Sequence, residues 1–198
     1  MTEPFRYPKS KQGQKTFQKI VETARKLFAN QGYQVTSINE IIAKSNIAAG
    51  TFYLYFKDKL AVYHYLLDEY RHNIRKTIFE AIQEQSSHQE KERLGIKAFL
   101  SYAWSDPLSY KIIWESMFID YDLFKQYYDT FSKDYMRQLN ASGTEINTLI
   151  DTQSLSFMLM GIANFVGLQV LFKDSCTEKD LDYLTEQIMI MLTKGMFA

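Results

Sequence analysis

Cysteine is nearly absent: Cys176 is the sole one in 198 residues. That excludes an internal disulfide and a cysteine-rich zinc site, and it suits the reducing cytoplasm, where the protein is expected to reside. Proline is almost as scarce, with Pro4 and Pro8 at the start and Pro107 far downstream, so little interrupts helical structure. No long run alternates polar and apolar residues, as a half-buried strand requires. Catalytic signatures are missing as well. There is no nucleophile motif, glycine-rich phosphate loop or paired-carboxylate pattern, so no enzyme activity, catalytic residue or cofactor is expected. The N-terminal stretch MTEPFRYPKSKQGQK lacks the apolar core of a signal peptide and reads as a short basic arm, mobile up to about Gly13. Net charge is zero, 23 basic residues against 23 acidic, but the balance is not local. Residues 1–60 hold ten Lys/Arg and four Asp/Glu, a surplus of six cations, and the remainder carries the compensating deficit. A basic first third suggests a polyanionic partner at that end, although charge alone favours ordinary surface lysines.

What is present is helical periodicity throughout, so the chain reads as all-α with about nine helices. The first is expected over residues 14–31, with Phe17, Ile20, Val21, Ala24, Leu27 and Phe28 as its apolar stripe and Gly32 as its stop. A second covers 38–44, capped by Ser37 with Glu40 completing a capping box. Asn46 suits the sharp turn that follows, because asparagine tolerates the left-handed conformation. A third spans 48–55, and Asp58 caps a long fourth reaching about 85. Others follow near 90–104, 107–119 and 122–140. The last two are expected near 145–173 and 178–196, started by Thr144 and Thr177. Residues 152–172 carry no charge over a length that reaches a membrane span. Their hydroxyls and amides, among them Ser154, Ser156, Asn164 and Gln169, favour a helix buried against other helices, so no membrane is expected. His64, Asp68 and His72 fall at successive four-residue steps, but the outer pair diverges around the axis, so they read as a solvated face and no metal site is assigned.

Two short helices joined by a tight turn and braced by a longer one make a helix-turn-helix at about 37–56, whose second helix enters a DNA major groove. The segment AAGTFYLYFKDK at 48–59 fits that role. Phe52 and Phe56, four apart, are expected to point inward, and Tyr53, Tyr55 and Lys59 outward to phosphate oxygens. Gly50 lets the backbone approach DNA, and Thr51 offers a hydroxyl and a methyl. Thr36 and Ser37 are caps first and phosphate contacts second; Lys44 reads equally as a phosphate contact or a solvated charge.

At these residues the chain resembles the tetracycline-repressor (TetR) family. The matching positions are Leu27-Phe28, Gly32-Tyr33, Thr36-Ser37, Ile41, Gly50-Thr51-Phe52-Tyr53, Tyr55-Phe56 and Lys57-Asp58-Lys59. The resemblance covers roughly the first third and extends further only through helix count and length. Asn46 stands where the family usually has a turn glycine, Ile42 replaces a usual alanine, and Ala48-Ala49 replaces a common Ser-Lys pair. With Ala49 opening the reading helix, base readout is expected to fall on Asn39, Thr51 and Leu54, with a large phosphate contribution. Residues 1–58 are thus expected to form the DNA-binding domain, and 59–198 a domain for effector binding and dimerisation.

One helix-turn-helix reads half a site, so a homodimer on a double-stranded palindromic operator is expected. The last two helices, with the 152–172 stretch and the Leu181, Leu184, Ile188, Met191 stripe, are candidates for its interface, unless both are buried within one subunit. The resemblance further implies repression relieved by a small-molecule effector. Aromatic density between residues 102 and 135 suggests a hydrophobic one, lined by Trp104, Trp114, Phe118, Tyr128, Phe131, Met158 and Asn164, although any single ring is more often plain core. The competing reading is a helical lipid- or partner-binding dimer whose helix-turn-helix no longer reads DNA.

Overall fold

The computed structural model describes residues 4–141 and 149–195. Among them it shows nine helices and no strand: α1 Lys11–Gln31, α2 Ile38–Ser45, α3 Ala49–Tyr55, α4 Lys59–Ile82, α5 His88–Ser105, α6 Pro107–Ile119, α7 Tyr121–Ala141, α8 Thr152–Leu171 and α9 Glu178–Lys194. The chain divides into two compact units. One takes residues up to Tyr70 together with Leu108–Tyr127, and the other takes Arg71–Pro107 with the described residues from Tyr128 onward. The break expected between 58 and 59 falls inside the first unit.

The first unit is nucleated by the apolar stripe of α1. Phe17, Ile20, Val21, Ala24, Leu27 and Phe28 are all buried, together with Ile41 of α2, Phe52 of α3, Phe56 just beyond it, and Val62, Tyr63 and Leu66 of α4. Phe17 stacks on Phe56 at 4.7 Å between ring centroids and meets Tyr65 edge-on at 4.8 Å. Such ring pairs add to the area they bury. Helix α1 starts three residues earlier than expected, because Ser10 caps it by accepting from the Gly13 N–H at 3.1 Å. The described part of the arm before it is tied to the rest of the unit. Phe5 and Phe56 form an isolated antiparallel bridge, and the Arg6 N–H donates to the Tyr55 carbonyl at 2.8 Å. Gly13 makes room for this path: a β-carbon there would lie 2.8 Å from Cβ of Pro8.

In the second unit α5 packs against both α8 and α9, and α8 also touches α9. Ile96, Leu100 and Ala103 of α5, Leu159, Met160 and Val170 of α8, and Leu181, Leu184 and Ile188 of α9 form its core. Ser132 and Ser156 share a buried hydroxyl–hydroxyl bond of 2.7 Å. Residues 149–151 are not helical and the Asp151 carboxylate caps α8 through the Ser154 N–H, so that helix begins at Thr152 rather than near 145. The Thr144 start lies outside the described residues. Thr177 opens α9 with a reciprocal capping box to Asp180.

Candidate nucleic-acid interface

The second short helix is aimed by its turn. Ser37 accepts from the Glu40 N–H at 3.1 Å to begin α2, and Asn46 ends it at φ 49°, ψ 56°, the left-handed conformation expected of asparagine there. Helix α3 then buries Phe52 and leaves Ala49, Gly50, Tyr53 and Leu54 exposed, with Tyr53 56% and Leu54 54% accessible. Gly50 faces open space, with nothing within 4 Å of where a β-carbon would stand. Ser37 and Asn39 on α2 are exposed, and Thr51 is half-buried. Lys44 is exposed and pairs with Glu40 at 3.0 Å.

Three expected phosphate contacts turn back onto the protein instead, two of them buried and Lys59 half-buried. Tyr55 is only 9% accessible, and its ring meets Phe17 edge-on at 5.8 Å. The reason is angular: on a helix, residues 53 and 55 differ by about 200°, so they cannot share a face, whereas 55 falls near 52. Thr36 is buried; its hydroxyl donates to the Gly32 carbonyl at 2.9 Å and accepts from Gln31 Nε2 at 3.3 Å. Lys59 does not reach outward. Its Nζ donates to the carbonyls of Tyr33 and Thr36, each at 2.7 Å, and lies 4.1 Å from the Tyr33 ring centroid. Side chains in a first helical turn lean toward the N-terminus, which brings this ammonium over the loop joining α1 to α2. Burial lowers its pKa, with the nearby Glu115 charge opposing.

Helix α6 bonds to that loop, to the end of α1 and to α4 as well. Glu115 Oε1 accepts from the Tyr33 N–H at 2.8 Å, the Lys111 ammonium donates to the Ala29 carbonyl, and the Tyr63 hydroxyl donates to the Ile112 carbonyl at 2.6 Å. Gly32, at φ 87°, is the hinge that these bonds require, since L side chains seldom adopt that conformation. None of these cross-links was visible in the sequence, because lysine and glutamate on a polar helix face look the same whether solvated or clamped.

The sequence of residues 20–66 matches the model of the bacterial regulatory proteins of the tetR family. Over that segment the chain resembles the TetR family. Its relatives include an uncharacterised HTH-type transcriptional regulator of Bacillus subtilis, YuxN, 47% identical over 51 residues. That match covers 26% of this chain and 18% of the relative. The fatty acid metabolism regulator protein of Bacillus subtilis is 29% identical over 96 residues, 48% of this chain and 50% of that protein. The matched segment therefore spans half or less of either relative's length. A TetR-family transcriptional regulator from Syntrophomonas wolfei shares the fold at a TM-score of 0.80 and 21% identity, over 93% of this chain and 97% of that one. The family model and both of these relatives are regulatory proteins.

The residues expected to line an effector site fall into both compact units: Trp114 and Phe118 in the first, Trp104, Tyr128, Phe131, Met158 and Asn164 in the second. Phe118 is 82% accessible and Met158 is also exposed, so neither lines the interior of a single chain. Asn164 Nδ2 donates to the Met160 carbonyl of its own helix at 2.8 Å. Trp104, Trp114, Tyr128 and Phe131 are half-buried, and burial pushes the Tyr128 hydroxyl up to about 12. One polar feature of the second unit escaped the sequence reading. The Tyr135 hydroxyl donates to the Glu92 carboxylate, and His88 Nε2 lies 3.9 Å from the same carboxylate. Burial raises the Glu92 pKa against that hydrogen bond.

The last two helices present two faces each. Helix α8 buries Ser156, Leu159, Met160, Gly167 and Val170, and its opposite side exposes Phe157, Met158, Phe165 and, one residue beyond its end, Phe172. The uncharged stretch is therefore buried along one side only. In α9, Leu181, Leu184 and Ile188 are buried within their own unit, so three of the four residues expected at a subunit interface are core. Tyr183, Ile190 and Met191 face outward in their place.

Proposed function

We propose that the chain is a ligand-responsive DNA-binding transcriptional regulator that works as a homodimer, represses from a palindromic operator, and is released by a hydrophobic small molecule. The observation that carries this reading is the outward face of α3. Ala49, Gly50, Tyr53 and Leu54 stand clear of the protein on a helix held at both ends, the form in which a helix enters a major groove. Ser37, Asn39 and Lys44 flank it from α2, and Thr51 from α3 itself.

Two further features support the finer parts. The exposed apolar sides of α8 and α9 need cover, and a second copy meeting them would complete a helical bundle. Helix α8 is long and apolar enough to cross a membrane by length and composition, but its buried serine and its packing on α5 and α9 favour the protein-covered reading. The sequence similarity to a fatty acid metabolism regulator points toward an acyl compound as effector. Release then follows from a population shift. Effector binds better to a form whose reading heads do not fit the operator, and α4 and α6, through Lys59, Lys111 and Glu115, carry that change into the reading unit.

Selection of bound duplexes from a random pool, followed by competition with acyl compounds and lipophilic drugs, tests the proposal. Enrichment of a palindrome and its release by such compounds is the expected result. Failure to bind any duplex at micromolar protein and low salt sinks the DNA-reading part.

A further inference from the structure

The basic surface of the first unit does not end at the reading helix. Residues 4–21 carry Arg6, Lys9, Lys11, Lys15 and Lys19 and not one aspartate or glutamate. All five are exposed, and among the described residues none has an ion-pair partner. Other lysines have an acid one helical turn away: Lys26 pairs with Glu22 at 3.4 Å, Lys44 with Glu40 at 3.0 Å and Lys76 with Glu80 at 3.8 Å. A chain of zero net charge thus leaves a continuous strip unneutralised.

The strip is also held in place. Phe5 pairs with Phe56 across an antiparallel bridge and its ring meets Tyr65 edge-on at 5.1 Å. The Tyr7 ring meets Phe17 at 5.2 Å, and Gln14 Nε2 donates to the Pro8 carbonyl at 3.3 Å. Successive side chains of an extended segment alternate, so anchoring Phe5 inward turns Arg6 outward. The Arg6 backbone is bonded to Tyr55, the last residue of α3, and exposed Lys57 lies two residues further on. Lys11, Lys15 and Lys19 recur every four residues along one side of α1. They span roughly 12 Å, over which one DNA strand presents about three or four phosphates.

We infer that the N-terminal arm and the first turns of α1 form a second DNA-contacting strip, which takes backbone phosphates flanking the base pairs read by α3. The inference rests on the DNA-reading proposal above and adds the partner surface it does not name. Phe5 positions the strip, Arg6 and Lys9 engage phosphate nearest the reading helix, and the α1 lysines continue outward along the backbone.

Fluorescence anisotropy with the selected operator and with a random duplex, titrated over salt, tests it. The double variants Arg6→Ala/Lys9→Ala and Lys11→Ala/Lys15→Ala should each lower the salt slope by about two and weaken binding about ten-fold at ~0.1 M salt, equally for both duplexes. Trimming the operator to its palindromic core should erase the difference between the double variants and the parent protein. Phe5→Ala, which keeps every charge, should lose part of the same affinity while circular dichroism shows the fold intact. If the parent protein binds and both double variants bind with its slope, the strip is refuted while DNA reading stands. If the parent protein binds no duplex, both fall. If Phe5→Ala binds as tightly as the parent, the anchored placement is refuted.

Discussion

The two compact units carry opposite deficits at their surfaces. In the first, apolar residues are inside and a run of cations lies outside without acids to meet it. In the second, cations pair: Lys97 with Glu178 at 3.1 Å, Lys173 with Asp180 at 2.7 Å, and Arg75 with Asp134. What lies uncovered there is phenylalanine and methionine on α8. Single surface ion pairs contribute little to stability, so the contrast concerns partners rather than folding. One unit lacks an anion and the other lacks an apolar cover, and a chain that satisfied both internally would have nothing to bind.

The largest expected effect breaks the first unit from within. Phe56→Ala removes a fully buried ring shared by α1, α3 and the arm, and should cost about 3–5 kcal/mol, seen as a lowered denaturant midpoint. Next, Phe165→Glu places a charge on the uncovered side of α8. Ultracentrifugation should then show monomers, with operator affinity reduced about a hundred-fold or more as one half-site is lost. An unchanged dimer would move the interface elsewhere. Lys59→Ala sharpens the comparison, since this half-buried cation is already bonded to backbone carbonyls of its own chain. Its loss leaves the Tyr33 and Thr36 carbonyls unpaired, so stability should fall by about 1–3 kcal/mol while the salt slope of binding hardly moves. A slope lowered by one would return Lys59 to phosphate duty. Smaller again, Tyr53→Phe should weaken operator binding by about 1 kcal/mol without altering the melting temperature.

The smallest effect is in pH. Burial raises the Glu92 carboxyl pKa, so the folded chain keeps that proton to higher pH than the unfolded chain. Its contribution is complete below the ordinary carboxylate range and is lost as pH rises through the folded value. His88, when charged, works against this by favouring the carboxylate. The melting temperature should therefore decline across that window in the parent protein and stay flatter in Glu92→Gln.

Much of the reading unit was legible before folding. The Ser37 cap, the Asn46 turn and the inward pair Phe52 and Phe56 follow from bonds and angles within one or two helical turns, where sequence spacing is nearly spatial geometry. The Tyr55 error lay within reach of the same arithmetic, since a seven-residue helix cannot turn residues 53 and 55 to one side. Lys59 was out of reach. Its partners are backbone carbonyls more than twenty residues away, and no side-chain pattern marks them.

The ordered arm depended on a bridge between residues 5 and 56, and the Leu181, Leu184 and Ile188 stripe on which neighbour happened to cover it. Composition and periodicity determined an all-helical chain with a basic head, because helix formation and local charge depend on near neighbours. Which cations remain free for a partner, and which side of α8 stays uncovered, only the tertiary structure decided, because both depend on residues brought together from distant parts of the chain.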